Sequence, residues 1–103
     1  MTFYITQNDT LPVLEATLCD AGGPWDVPDT ATIQLHYQAA DGTVRVKNAT
    51  KVAGITGRVK YAWVVGDKPA GLYQGRFVVT LQSGDVITFP NKGYFRIEVA
   101  PSF

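Results

Sequence analysis

One histidine, one cysteine and nine carboxylates are what this 103-residue chain offers for acid–base, nucleophilic or metal chemistry. His36 alternates with Gln34 and Gln38, and a metal centre needs further ligand-type side chains beside it. It reads as a surface histidine. A nucleophilic cysteine needs an adjacent base, and Cys19 has none in its segment. It reads as a small buried or partly buried thiol. Glycoside chemistry needs two acids facing across a cleft. Glu15 and Glu98 fall on the polar sides of different strands, and the seven Asp fall mostly in turns, where the side chain serves local backbone. Asp20, Asp26 and Asp29 are close enough in sequence to suggest calcium, but Gly22-Gly23-Pro24 breaks the ligand spacing such a loop requires. The expectation is no catalytic residue, no metal, no cofactor and no enzymatic activity.

Charge narrows the partners. Nine basic and nine acidic residues give a formal charge of zero, so a large basic footprint for nucleic acid is missing. Low self-repulsion suits dense assembly. No run approaches the roughly 18 apolar residues of a membrane span. Met1–Gln7 lacks the basic-then-apolar pattern of a secretion signal, and a lone cysteine fits synthesis in a reducing cytosol. Without that signal, Asn48-Ala49-Thr50 is a chance match to the glycosylation pattern. Between Asp41 and Asp67 every charge is positive: Arg45, Lys47, Lys51, Arg58 and Lys60. On neighbouring strands these predict a basic stripe. Tyr61 and Trp63 alternate with Lys60 and point inward, so the stripe lacks the exposed aromatics that stack nucleobases. It fits a solvated face or an acidic protein partner.

The elements that must position these residues are strands. Apolar residues make up 46% and charged residues 17%, a composition that folds. Turn signals recur at short intervals and no window carries a helical period. Strands are expected over Thr2–Gln7, Leu11–Cys19, Ala31–Gln38, Val44–Val52, a segment around Val59–Trp63, Tyr73–Leu81, Val86–Phe89 and Phe95–Val99. Ile33, Leu35 and Tyr37 alternate with polar residues, which means one buried and one solvated face. Val44 and Val46 are expected on the apolar side of their strand, opposite Arg45 and Lys47. Connections too short for a helical crossover require antiparallel pairing throughout. The expected fold is an all-β, immunoglobulin-like antiparallel sandwich of seven or eight strands, one domain over 1–103, with Leu14, Leu18, Ile33, Leu35, Tyr61, Trp63, Phe77, Val79 and Ile97 in its core.

Asp67 leads a turn that ends in Gly71-Leu72-Tyr73 and opens a run of alternating apolar residues. In immunoglobulin-like sandwiches a tyrosine at such a corner folds its hydroxyl back onto upstream backbone. Asp67, Gly71 and Tyr73 are therefore expected to form a corner, with the Tyr73 hydroxyl on backbone in or near Val65–Pro69.

The order of several segments resembles the N-terminal immunoglobulin-like domain of tailed-phage baseplate upper proteins and related small phage virion proteins. The matching pieces are Phe3–Thr10, Leu14–Asp20, Ala31–Ile33 leading to Asp41–Thr43, Gly57–Trp63 and Gly66–Tyr73. The most specific is Thr88-Phe89-Pro90-Asn91-Lys92-Gly93-Tyr94-Phe95-Arg96-Ile97-Glu98-Val99. The resemblance implies a non-enzymatic virion part, made in the host cytoplasm and built into a symmetric particle in multiple copies beside other phage virion proteins. In the baseplate proteins further segments hold receptor-binding proteins. This sequence ends at Phe103, so the resemblance implies a small adaptor or decoration subunit of tail, baseplate or head. Phe3, Arg45, Lys47, Lys60 and Phe103 are its candidate docking residues. The alternative is a carbohydrate-binding module, with Trp25 as the glycan contact and a lid over the core as its plainer role.

Overall fold

Strict alternation of large apolar and polar side chains makes strands, and strands buried on one face must stack in layers. The computed structural model describes residues 2–20, 22–90 and 93–102. Its strands are β1 (Thr2–Thr6), β2 (Leu14–Thr17), β3 (Cys19–Asp20), β4 (Gly23–Pro24), β5 (Thr32–Ala39), β6 (Val44–Lys51), β7 (Arg58–Tyr61), β8 (Gly71–Thr80), β9 (Val86–Phe89) and β10 (Phe95–Ala100). Among the described residues there is no helix.

Hydrogen bonding runs in the order β1-β10-β8-β5-β6-β7-β2, with β9 also on β8. The path folds over where β6 changes partner: Val44–Ala49 pair with β5, and Thr50–Lys51 pair with β7. The larger layer holds β1, β10, β9, β8, β5 and most of β6; the smaller holds β2, β7 and the end of β6. β9 and β10 share one edge of β8, pairing with Phe77–Thr80 and Gly71–Gly75. The layers enclose one apolar cluster, and every core residue expected from sequence is buried in it. The fold is an all-β, immunoglobulin-like sandwich.

Two local expectations are corrected. β1 pairs with β10 in parallel, Phe3 opposite Ile97 and Ile5 opposite Val99. Short connections force antiparallel pairing only between neighbours in sequence, and nearly the whole chain lies between these two strands. Cys19 is exposed, its thiol directed at the Thr17 carbonyl at 3.7 Å. Leu18 takes the inward position beside it, leaving Cys19 the outward one.

Two glycines mark close approach. Gly57 has φ 75°, and a Cβ there would stand 2.8 Å from the Leu18 carbonyl oxygen. This approach lets Leu18 N–H donate to the Gly57 carbonyl at 2.7 Å. At Gly75 a Cβ would meet the Phe95 ring at 2.6 Å. We expect Gly75→Ala to destabilise by about 1–3 kcal/mol through overpacking. In a Phe95→Leu background the added cost should shrink; urea unfolding of the four-member cycle checks this. Phe77→Ala, at a site 1% exposed, should cost about 3–5 kcal/mol in the same measurement.

Candidate functional site

The densest polar chemistry lies inside the sandwich, where the loop between β7 and β8 drops Asp67 among three tyrosines. Alternation puts Tyr37 of β5, Tyr61 of β7 and Tyr73 of β8 on inward faces, so their hydroxyls must find partners there. Asp67 is 7% exposed. Its carboxylate accepts from the Tyr61 hydroxyl, from the Val64 N–H at 2.8 Å and from Lys47 Nζ at 3.2 Å. Its backbone carbonyl accepts from the Tyr37 hydroxyl at 2.7 Å. The Tyr73 hydroxyl donates to the Pro69 carbonyl at 2.5 Å, closing the corner that enters through Gly71 at φ 145°.

Lys68 is 2% exposed. Its ammonium donates to the Asp9 carbonyl at 2.7 Å and sits 5.5 Å from the centre of the Trp63 ring. Tyr61 and Tyr37 meet the same ring edge-on at 5.0 and 5.7 Å. Trp63 Nε1 is buried without a partner among the described residues.

Burial and hydrogen bonding set the ionisation of these groups. Burial alone would raise the Asp67 carboxyl, but hydrogen bonds from Tyr61, the Val64 amide and Lys47 outweigh it and hold the group below the usual carboxylate range. Burial pushes the Tyr37 phenol up to about 12, aided by the Asp67 charge. Burial and the Asp67 hydrogen bond raise Tyr61 as well, and burial raises Tyr73. Burial lowers Lys68, against the opposing pull of Asp9 and Asp67. A carboxylate saturated with donors and phenols that hold their protons are poorly matched to general acid–base work at neutral pH.

The basic residues named from sequence do not form one stripe. Leu35 pairs with Lys47 and Tyr37 with Arg45, so Arg45 and Lys47 share the face of core residues, while Val44 and Val46 face outward. This inverts the expected alternation. Arg45 and Lys47 are both partly buried, and the Lys47 ammonium reaches the buried Asp67 carboxylate. Lys51 holds the loop after β4, donating to the Val27 carbonyl at 2.7 Å and to Asp29 at 3.0 Å, with Asp26 at 3.8 Å. Arg58 donates to the Thr17 hydroxyl at 3.0 Å. Lys60 is exposed. Phe3 stacks on Trp63 at 6.1 Å and Trp25 packs on Phe89 at 5.5 Å, so both are partly covered aromatics at the core's margin. His36 hydrogen-bonds Gln34 at 3.2 Å. Phe103 lies outside the described residues. Among the described residues no three His, Cys, Asp or Glu side chains gather as metal ligands.

The outer face of the larger layer is a second candidate, one that the sequence reading missed. Its register aligns Val46, His36 and Arg76 in one row, Val44, Gln38, Gln74, Arg96 and Thr2 in the next, then Leu72, Glu98 and Tyr4. Two adjoining shallow grooves of about 420 and 330 Å³ share Gln38, Gln74 and Tyr94. The signal was present as Arg76 and Arg96 at outward positions of alternating strands. Finding the surface required knowing that β8 and β10 are neighbours.

No protein-family model and no curated protein sequence matches the chain. Among solved structures it is similar to CopC from Methylosinus trichosporium OB3b, with a TM-score of 0.58 and 14% identity over 99% of this chain and 86% of that one. Likeness at that identity shows the shared fold alone. The expected role is corrected: the solved structure that the chain is similar to is CopC and not a phage structural protein, so the virion adaptor or decoration subunit is withdrawn together with its carbohydrate-binding alternative. One sandwich serves unrelated roles, and the segments that carried the resemblance are mostly strand-and-turn chemistry that any such sandwich needs.

Two outcomes follow for the buried cluster. Tyr73→Phe removes only the corner hydroxyl and should cost on the order of 1 kcal/mol. Asp67→Asn should cost about 1.5–3 kcal/mol near neutral pH, where the charged acceptor is fully formed. A carboxyl held low in the folded state stabilises fully above its unfolded value of about 4 and loses that stabilisation as pH falls through the folded value. Urea unfolding at neutral and acid pH should therefore show the gap between wild type and Asp67→Asn narrowing on acidification.

Proposed function

We propose that this chain is a non-catalytic protein-binding module whose contact surface is the outer face of its larger layer. One observation carries this. Of the ten large apolar residues exposed among the described residues, six lie on that face: Tyr4, Val44, Val46, Leu72, Val86 and Tyr94. Concentrated exposed apolar side chains rimmed by polar ones are a feature of interaction surfaces. Tyrosine and arginine, enriched at such surfaces, both occur there. The buried Asp67 cluster supports the same view, because its carboxylate, its three tyrosine hydroxyls and the Lys68 ammonium are occupied in tying strands and loops together. The resemblance to the baseplate domain enters as a proposal about fold and descent only, and no virion role follows from it.

A displayed random-peptide library tests the proposal, with selected binders mapped by amide chemical-shift changes. Binders should shift residues of β8, β10 and β5, and the Tyr4→Ser/Leu72→Ser variant should weaken them about tenfold or more. Its urea midpoint should barely move, because both sites are exposed. Binders that map to the loop ends or strand edges, with affinity indifferent to Tyr4 and Leu72, would contradict the assignment.

A further inference from the structure

The outer face carries two arginines whose placement specifies more than a generic contact. Arg76 and Arg96 are both exposed, and among the described residues neither has a carboxylate within 4.0 Å. The acid of that face is Glu98, half-buried and one row beyond Arg96. Arg96 stands opposite Gln74, and Arg76 lies two residues further along β8. Diagonal neighbours of this kind are about 7–8 Å apart.

In an extended chain, side chains on one face recur every second residue, about 6.6–6.8 Å apart. The spacing of the two arginine positions therefore matches that of carboxylates at positions i and i+2 of an extended segment. Gln74, opposite Arg96 and two residues before Arg76 on β8, and Tyr94, which lines the groove that holds Arg76, bring donors beside the pair, with Glu98 one row beyond. Apolar Leu72 and Val44 flank the track on either side.

We propose that this track binds an extended acidic segment of a partner protein, with carboxylates two residues apart seated on Arg76 and Arg96. The assignment rests on the outer face being the contact surface. Guanidinium–carboxylate pairs are charge-assisted and directional, and at a solvent-exposed rim they act mainly on encounter rate and salt dependence. A zero formal charge for the whole chain makes the local positive pair the selective feature, in place of a general field.

The probe is the acetylated, amidated peptide Gly-Ser-Glu-Ser-Glu-Ser-Gly, compared with its lysine-for-glutamate counterpart and with an isomer whose glutamates are adjacent. Amide and guanidinium shifts of the labelled protein are followed. The expected result is movement at Gln74, Arg76, Tyr94 and Arg96, weaker binding as salt rises, and preference for the spaced glutamates. Arg76→Glu/Arg96→Glu should lose affinity about tenfold or more. The single Arg76→Gln and Arg96→Gln variants, checked for an unchanged urea midpoint, give the same direction if the double variant fails to fold.

Silence at these residues up to millimolar peptide overturns the proposal. So does equal binding of the lysine peptide, or tighter binding of single-stranded DNA on the same arginines. If library-selected binders still map to Tyr4 and Leu72 while the glutamate peptide is silent, the acidic assignment alone falls. If neither maps to the face, the contact surface itself is wrong.

Discussion

The Asp67 carboxylate has to accept from Tyr61, from the Val64 amide and from Lys47 at once, while its own backbone carbonyl accepts from Tyr37. Those donors come from β7, the loop after it, β6 and β5, which cover both layers. A buried charge is tolerated when its oxygens are filled, and filling them fixes the loop relative to each strand that contributes a donor. The next residues complete the clasp. Lys68 reaches back to the Asp9 carbonyl after β1, and the Pro69 carbonyl takes the Tyr73 hydroxyl at the start of β8. One turn thus ties together the first strand's exit, three internal strands and the corner.

The same constraint decides what the molecule shows to its surroundings. Side chains on a strand alternate with period two. Drawing Lys47 toward Asp67 puts Arg45 on the same side and leaves Val44 and Val46 no place but the outer face. That face then carries apolar side chains on β6 as well as the arginines of β8 and β10. Internal charge pairing and external apolar display are two consequences of one register. The fold shared with CopC from Methylosinus trichosporium OB3b supplies the layers. The surface chemistry is a matter of which residues occupy the outward positions, and this is why likeness of fold carries no function here.

Much of the fold was legible where one strand's own pattern was enough. Ile33, Leu35 and Tyr37 alternate cleanly, and Gly71-Leu72-Tyr73 after Asp67 spells a corner. Legibility failed where the answer depended on pairing between distant strands. Val44 and Val46 look like an apolar face until Arg45 and Lys47 are set opposite Tyr37 and Leu35. The parallel β1–β10 pair joins the two ends of the chain and leaves no mark in local spacing. In the sequence Asp67 is a turn residue that leads the corner, and its role as acceptor for tyrosines from two strands depends on contacts between strands that pattern does not encode. The outer face needed the register of β5, β8 and β10 together. A role in a virion rested on ordered strand-and-turn segments, a signal that reports architecture more than purpose.

Whether the buried cluster is scaffold or chemistry turns on the ionisation of one group. Following the Asp67 side-chain carboxyl carbon by NMR through an acid titration measures it directly. A midpoint below the ordinary aspartate value of about 3.9, coincident with loss of folded structure, is the expected result. A midpoint at or above that value in a protein that stays folded would show a carboxyl free to exchange protons, and would contradict a cluster whose purpose is to hold the strands together.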